Sequence, residues 1–344
     1  MTGGIVRSKA PLRLGLAGGG TDVSPYSEIY GGAVLNATID MSTYTTLEVL
    51  DRPLIILEAL ERGEIYEYPL ASHLDIDGKL DMHKGVYNRI MKDFNGGIAL
   101  PVKITTHSDA PAGSGLGTSS SLAVSIIAAF QELLSIPIGE YEVAHLAYEI
   151  ERIDLRMEGG KQDQYAAAFG GFNFIEFFNG DKVIVNPLRI KKKFINELQY
   201  NLLLYYTGTS RFSAEIIRNQ VKNVTNGDNK SIEAMHKVKE QAVMMKEALL
   251  KGEIDRIGEI LDYGWQYKKE MAGCITNSVI DSVYESAMKH GAIGCKVTGA
   301  GGGGFMMIYC NGLKRYDIYK GLEQFGGRFV EFHFSEQGVE TWRL

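Results

Sequence analysis

The residues best suited to chemistry are a glycine loop followed by hydroxyls, two carboxylates further along the chain, and an arginine near its start. The loop runs Asp109-Ala110-Pro111-Ala112-Gly113-Ser114-Gly115-Leu116-Gly117-Thr118-Ser119-Ser120-Ser121. Glycines at alternate positions let the backbone approach a bulky anion, and free amides at the positive end of a following helix attract phosphate. The hydroxyl run adds a Ser or Thr ligand for magnesium. Glu151 sits near a helix C-terminus, where a carboxylate opposes the dipole unless a cation compensates, so it is a candidate metal ligand. Asp163 lies in a glycine-flanked segment before an Ala-rich helical stretch. It reads either as a rigid, exposed catalytic carboxylate or as a helix cap. Two familiar phosphate loops are excluded. No lysine occurs between Asp109 and Ser121, as a Walker A loop requires, and the third glycine comes one residue too early for a dinucleotide fingerprint.

The elements that must position these groups follow from periodicity. Val102, Ile104 and Thr106 alternate with polar residues as in a half-buried strand ending near His107. Leu122, Ala123, Ile126, Ile127, Phe130, Leu133 and Leu134 are spaced for a helix that begins inside the hydroxyl run. A second glycine loop, Ala17-Gly18-Gly19-Gly20-Thr21-Asp22, follows a strand over residues 5–16. Asp22 could accept hydrogen bonds from substrate hydroxyls or cap the next helix, and Arg13 reads as a cleft cation or an edge charge. Residues 33–70 predict an antiparallel sheet, and Tyr141–Arg152 a helix. Leu202–Tyr206 reads as a buried strand leading into Thr207-Gly208-Thr209-Ser210-Arg211. Beyond it, Ile232, Met235, Val238, Ala242, Met245 and Leu249 form one apolar helical stripe, and Asn277 caps a later helix. A third glycine loop, Thr298–Gly304, joins two apparent strands, so its backbone amides could hold an anion.

Composition bounds the rest. A chain of 344 residues exceeds the roughly 250 to 300 residues served by a single core, which predicts two domains sharing a cleft. A change of character at Lys182–Leu188 and the Lys191 run divides them into residues 1–190 and 191–344. The net charge of -6 excludes a nucleic-acid-binding surface. Cys274, Cys295 and Cys310 have no zinc or disulfide spacing. No signal peptide or membrane span is expected, which places the chain in the cytoplasm. Nothing indicates an oligomer.

Taken together, the three loops resemble the three motifs of the GHMP kinases, the superfamily of galactokinase, homoserine kinase, mevalonate kinase and phosphomevalonate kinase. Pro111–Ser121 is similar to the second motif, Pro-x-x-x-Gly-Leu-Gly-Ser-Ser-Ala, Lys296–Phe305 to the third and Ala10–Asp22 to the first. The wording of Gly18–Asp22, Gly160–Gly171 and Tyr206–Arg211 is most similar to the heptose 7-phosphate kinase branch, and fucose kinases share part of it. The resemblance implies an α+β fold with an N-terminal domain like ribosomal protein S5 domain 2 and a ferredoxin-like C-terminal domain. It implies ATP and magnesium, with Asp163 catalytic, Arg13 the counterpart of a cleft Lys or Arg, and Glu151 and Ser119 the metal ligands. ATP would lie on Pro111, Ala112, Gly113, Ser114, Gly115, Leu116, Gly117, Thr118, Ser119 and Ser120. The sugar would meet Gly19, Gly20, Thr21, Asp22, Arg211, Gly301 and Gly302. The family's Ser-Ser-Ala-Ala is Thr118-Ser119-Ser120-Ser121 here, which leaves Ser119 and Ser120 open as metal ligands, and an altered spacing keeps Glu149 as a fallback for Glu151.

The implied activity is ATP-dependent phosphorylation of a sugar's anomeric hydroxyl, with D-glycero-D-manno-heptose 7-phosphate becoming the 1,7-bisphosphate. A fucokinase or galactokinase type of sugar 1-kinase and a non-catalytic nucleotide or sugar sensor are the alternatives. A sugar phosphate needs a second anion site, for which Lys9, Arg13, Lys161 and Arg211 are the cationic candidates and Arg211 the preferred one.

Overall fold

The computed structural model describes residues 4–208 and 213–344. Its strands are β1 (Ile5–Ala17), β2 (Gly32–Val49), β3 (Leu54–Ala59), β4 (Glu64–Pro69), β5 (Val102–Ser108), β6 (Phe172–Phe177), β7 (Val183–Pro187), β8 (Leu202–Tyr206), β9 (Ala292–Val297), β10 (Phe305–Cys310), β11 (Arg328–Val330) and β12 (Glu340–Arg343). One sheet runs β12-β1-β2-β5-β3-β4, with β6 joining β2 to β7. The antiparallel arrangement expected over residues 33–70 holds for β3 with β4, but β5 separates β2 from β3 and runs parallel to β3.

The second sheet has the order β11-β8-β10-β9, all antiparallel. In chain order this is a β-α-β-β-α-β unit, the ferredoxin-like arrangement. Its central strands are apolar throughout because both faces are covered. Leu202, Leu204, Phe305 and Met307 face a core shared with β1, while Leu203, Tyr205, Met306 and Ile308 face a second core under the C-terminal helices.

An irregularity in the pairing of β1 with β2 sets the geometry of the site. Val6 and Ala10 pack beneath the helix Thr118–Leu134 with Ile126, Ile127 and Phe130, and Ser8 bonds Ser125 of that helix. The pairing of β1 with β2 shifts register between Pro11 and Arg13. Beyond the shift Leu12, Leu14 and Leu16 face the shared core although they keep the parity of Val6 and Ala10. Across that shift β2 advances four positions, from Ser42 to Thr38, against two in β1; such an irregularity changes which face the side chains reach, and here Arg13 is turned towards the start of that helix.

The division near residue 190 falls between the last strand of the first sheet and the first strand of the second, but the tail returns. β12 pairs with β1 from Val6 opposite Arg343 to Lys9 opposite Glu340, with ion pairs from Lys9 to Glu340 (2.8 Å) and Arg343 to Glu132 (2.5 Å). The last strand of the 191–344 segment therefore belongs to the first sheet. No helix among the described residues is long and apolar enough to cross a membrane.

Candidate active site

A cavity of about 570 Å³ opens between the two sheets' units, and most of the residues singled out by type and spacing line it. Gly117 precedes the helix Thr118–Leu134 in a left-handed conformation (φ 80°), and no side chain caps that helix. The amides of its first turn are thus left for a ligand. Ala112, Gly113, Gly115, Gly117, Thr118, Ser119 and Ser120 line the cavity. Pro111, Ser114 and Leu116 do not. Leu116 is buried in the shared core, Pro111 lies in a separate depression beside Arg328, and the Ser114 carbonyl accepts from the Phe305 amide at 3.1 Å.

Glu151 occupies a π-helical turn, Ile150–Asp154, that follows the helix Glu140–Glu149. Such turns rotate one side chain out of α-helical phase and recur at functional sites. Glu151 is 1% exposed. One carboxylate oxygen accepts from Ser119 Oγ at 3.1 Å, and the other accepts from Ser120 Oγ at 2.7 Å and from Gln164 Nε2. Its nearest cationic group is Arg152, 3.8 Å away. Ser119 is exposed and Ser120 buried, although both border the cavity. Glu149 is held by Arg89 outside this cavity and drops out as a metal ligand. Among the described residues no three His, Cys, Asp or Glu side chains cluster as a metal cage. One carboxylate and one hydroxyl beside a phosphate-accepting loop fit magnesium, which keeps waters and borrows phosphate oxygens.

Asp163 is in the first turn of the helix Gln162–Phe169 and caps nothing. Its Oδ1 accepts from Arg13 Nε at 2.7 Å, while Arg13 Nη1 donates to the Gly115 carbonyl at 2.6 Å. At the register shift, β1 thus delivers a buried guanidinium that ties Asp163 to the glycine loop. Asp22 is also buried, accepting from the Gly20 amide (3.0 Å), the Gln162 amide (3.1 Å) and Gln162 Nε2 (3.1 Å). It caps no helix. The Gly159-Gly160 pair has a steric reason: a Cβ at Gly160 would lie 1.9 Å from Asp22 Oδ2, and one at Gly159 2.1 Å from Arg152 Nη2.

Several of the expected sugar contacts lie off the cavity wall. Thr21 turns inward, its hydroxyl donating to the carbonyls of Gly18 (2.9 Å) and Ala33 (3.0 Å), and Gly19 is buried, leaving Gly20 and Asp22 on the cavity wall. In the third loop Gly299 and Ala300 reach the cavity, whereas Gly301 and Gly302 lie behind it. The Gly302 amide is spent on the Ile275 carbonyl at 2.8 Å, and a Cβ on Gly301 would meet that same oxygen at 2.7 Å. Lys9 pairs with Glu340 away from the cavity, and Lys161 with Glu28 and Asp181, each at 2.9 Å. Arg211 lies outside the described residues.

Among the cavity residues that escaped the sequence reading are Arg152, Gln220 and Lys268. Arg152 fastens the 157–160 loop by donating to the carbonyls of Met157, Glu158 and Gly160. Lys268, on the helix Ile257–Met271, is 1% exposed and donates to the Gly299 carbonyl. Burial pushes its amine down to about 8; Asp22 and Asp163 oppose that shift and Arg13 adds to it. A signal for it existed. Ile257, Ile260, Leu261, Trp265, Lys268 and Met271 form one buried helical stripe, so a lysine stands where the spacing calls for an apolar residue. Off the cavity, Lys296 donates to the carbonyls of Gly15 (2.7 Å) and Leu16 (3.3 Å), stitching β9 to β1. His83 is a buried partner of Thr106, with burial pushing it down to about 3.

Residues 81–171 match the model of the GHMP kinases N terminal domain, and residues 245–326 that of the GHMP kinases C terminal region. The chain is 45% identical over 339 residues to a D-glycero-alpha-D-manno-heptose 7-phosphate kinase of Campylobacter jejuni, covering 98% of this chain and 99% of that one. The crystal structure of a D-glycero-D-manno-heptose 1-phosphate kinase from Bacteroides thetaiotaomicron superposes with a TM-score of 0.84 at 44% identity, covering 98% of each chain. Lactococcus lactis galactokinase, solved with galactose, gives a TM-score of 0.76 at 20% identity over 98% of this chain and 95% of that one, a likeness of fold alone. With both family regions in order and such identity over almost its whole length, this chain belongs to the GHMP kinase family.

Proposed function

We propose that this kinase uses ATP to phosphorylate the anomeric hydroxyl of D-glycero-D-manno-heptose 7-phosphate, yielding the 1,7-bisphosphate. The observation that carries the reading is Asp163, fixed by Arg13 at the edge of the glycine loop with its second oxygen unpartnered among the described residues. That oxygen accepts the proton of the attacking hydroxyl, and Arg13 holds the carboxylate in place as it does so. The uncapped amides after Gly117 and the loop from Ala112 receive the ATP phosphates. Glu151 and Ser119 hold magnesium, which when bound neutralises charge on the transferring phosphates. Asp22, oriented by Gly20 and Gln162, receives sugar hydroxyls. Most of the rate gain comes from positioning, as phosphoryl transfer asks little covalent work of the protein.

The identity to the Campylobacter jejuni enzyme supports the choice of sugar. Residues 1–190 supply the nucleotide wall and Asp163, residues 191–344 the opposite wall. We place the reaction in the cytoplasm. The test is turnover of ATP with heptose 7-phosphate, heptose 1-phosphate, free heptose, fucose, galactose and mannose, with the product's position read by phosphorus NMR. A new phosphate on the anomeric carbon of heptose 7-phosphate is expected. Use of a free hexose alone would replace the heptose reading with a fucokinase or galactokinase type.

A further inference from the structure

Four lysines are buried among the described residues: Lys84, Lys161, Lys268 and Lys296. A buried ammonium needs an anion or several acceptors to offset its lost hydration. Lys84 has Asp77, Lys161 has Glu28 and Asp181, and Lys296 has two carbonyls away from the cavity. Lys268 is different. It lines the cavity, its one acceptor among the described residues is the Gly299 carbonyl, and no carboxylate there lies within ion-pair distance. An ammonium has three donors, so two of them lack a protein acceptor.

A second unmet donor stands near it. Gln220, on the helix Ser213–Thr225, is 2% exposed, lines the same cavity, and its Nε2 has no hydrogen-bond partner. The two side chains meet neighbouring residues of one loop. Lys268 Nζ is 3.7 Å from the position a Cβ on Gly19 would take, and Gln220 Oε1 is 3.6 Å from the corresponding position on Gly20. Buried polar groups are satisfied in native proteins, so a lone cation and a lone donor sharing one cavity wall point to an acceptor supplied by the ligand.

We infer that Lys268 and Gln220 form a subsite for the phosphate the acceptor sugar already carries. The inference rests on the reading of the substrate as a sugar phosphate. Such an acceptor brings a dianion that must be met apart from the ATP phosphates. Of the other cations considered for it, Arg211 lies outside the described residues, and the remaining three are committed: Arg13 to Asp163 and Gly115, Lys161 to Glu28 and Asp181, Lys9 to Glu340. Both subsite residues come from the C-terminal half, so acceptor choice and nucleotide binding reside on different walls of the cleft.

The test compares wild type, Lys268→Met, Lys268→Arg and Gln220→Leu in steady-state kinetics with heptose 7-phosphate and free heptose. Lys268→Met is expected to raise KM for the phosphorylated acceptor by roughly tenfold or more, the cost of a charged hydrogen bond, while KM for ATP and for free heptose stays within about twofold. Lys268→Arg restores part of the loss, and Gln220→Leu gives a smaller rise with the same selectivity. A fall in kcat for both acceptors at unchanged KM overturns the subsite and assigns Lys268 to the transferring phosphoryl group. If Lys268→Met does not fold, Gln220→Leu and competition between inorganic phosphate and heptose 7-phosphate in calorimetry on wild type decide the matter, absence of competition counting against the subsite. Failure of wild type to use heptose 7-phosphate refutes the substrate reading instead. A subsite that still binds inorganic phosphate in wild type and loses it in Lys268→Met survives that result.

Discussion

The loop from Ala112 to Ser120 and the loop from Gly299 to Gly304 touch along a seam, yet they serve the cleft very unequally. In the first, the glycines and hydroxyls alternate with Ser114 and Leu116 so that the former face the cavity and the latter the protein. In the second, only Gly299 and Ala300 reach the cavity. Its other glycines permit backbone to lie against backbone: a Cβ on Gly304 would come within 2.4 Å of the Ser114 carbonyl, and one on Gly299 within 2.8 Å of Gly115 Cα. Two glycine runs of similar composition therefore have different reasons, one for approach by a ligand and one for approach by another part of the chain.

Substitutions can break this contrast in either direction. The largest effect is expected at the cavity-facing side. Asp163→Asn keeps size and should still fold, with a lowered melting temperature because the buried Arg13 loses its anionic partner, while kcat falls by about 100- to 10,000-fold, a typical general-base contribution. Kinetics and thermal melts on one preparation check both halves, and activity within a few-fold of wild type would remove Asp163 from the chemistry. At the seam the pattern reverses. Gly304→Ala meets both a clash with Ser114 and a φ of 86°, and should cost stability by about 2 kcal/mol or more, read by chemical denaturation.

Smaller effects sharpen the division within the first loop. Ser119→Ala should weaken the magnesium dependence of turnover by roughly tenfold, whereas Ser120→Ala should act less on the metal and more on stability, since its buried hydroxyl is spent on Glu151. A titration of magnesium at saturating ATP ranks the two, and the opposite ranking exchanges their roles. The mildest expected change is with pH. Lys268, held at about 8 by burial against the pull of Asp22 and Asp163, is charged below that value and neutral above it. KM for a phosphorylated acceptor should therefore climb by a few-fold as pH rises through about 8 to 9, with no matching change for free heptose. A flat profile would mean that the charge of Lys268 does not reach the acceptor.

What the sequence revealed depended on whether neighbours in the chain were neighbours in the site. Gly113–Ser120, Glu151 and Asp163 could be found because each sits in a short segment whose composition has one purpose. Glu151 was legible by type, but its presentation through a π-helical turn was not, since that turn has no periodicity of its own. Lys268 and Gln220 come from helices far along the chain and enter the cleft only when the second sheet packs on β1. The basic end of Lys268's helix reads as an ordinary solvated terminus unless the buried stripe is counted residue by residue. Thr21, Gly301 and Gly302 lie off the cavity wall for the complementary reason: a loop's residue types do not say which of its faces is turned inward. The return of β12 to the first sheet was equally hidden, because four mostly polar residues at a sheet edge leave no alternation to read.

Lys296 has a use as a chemical recorder. Its amine is enclosed by the carbonyls of Gly15 and Leu16 and, by burial together with Lys268 and Arg13, is held well below the ordinary lysine range. An acylating reagent cannot reach it while β9 and β1 remain stitched. Each excursion that parts them converts it into an accessible amine. The rate at which the peptide bearing Lys296 gains mass in such a reagent counts those openings in the intact protein. Substrates that bridge the two walls should slow that count, whereas a ligand confined to one wall should leave it as it was.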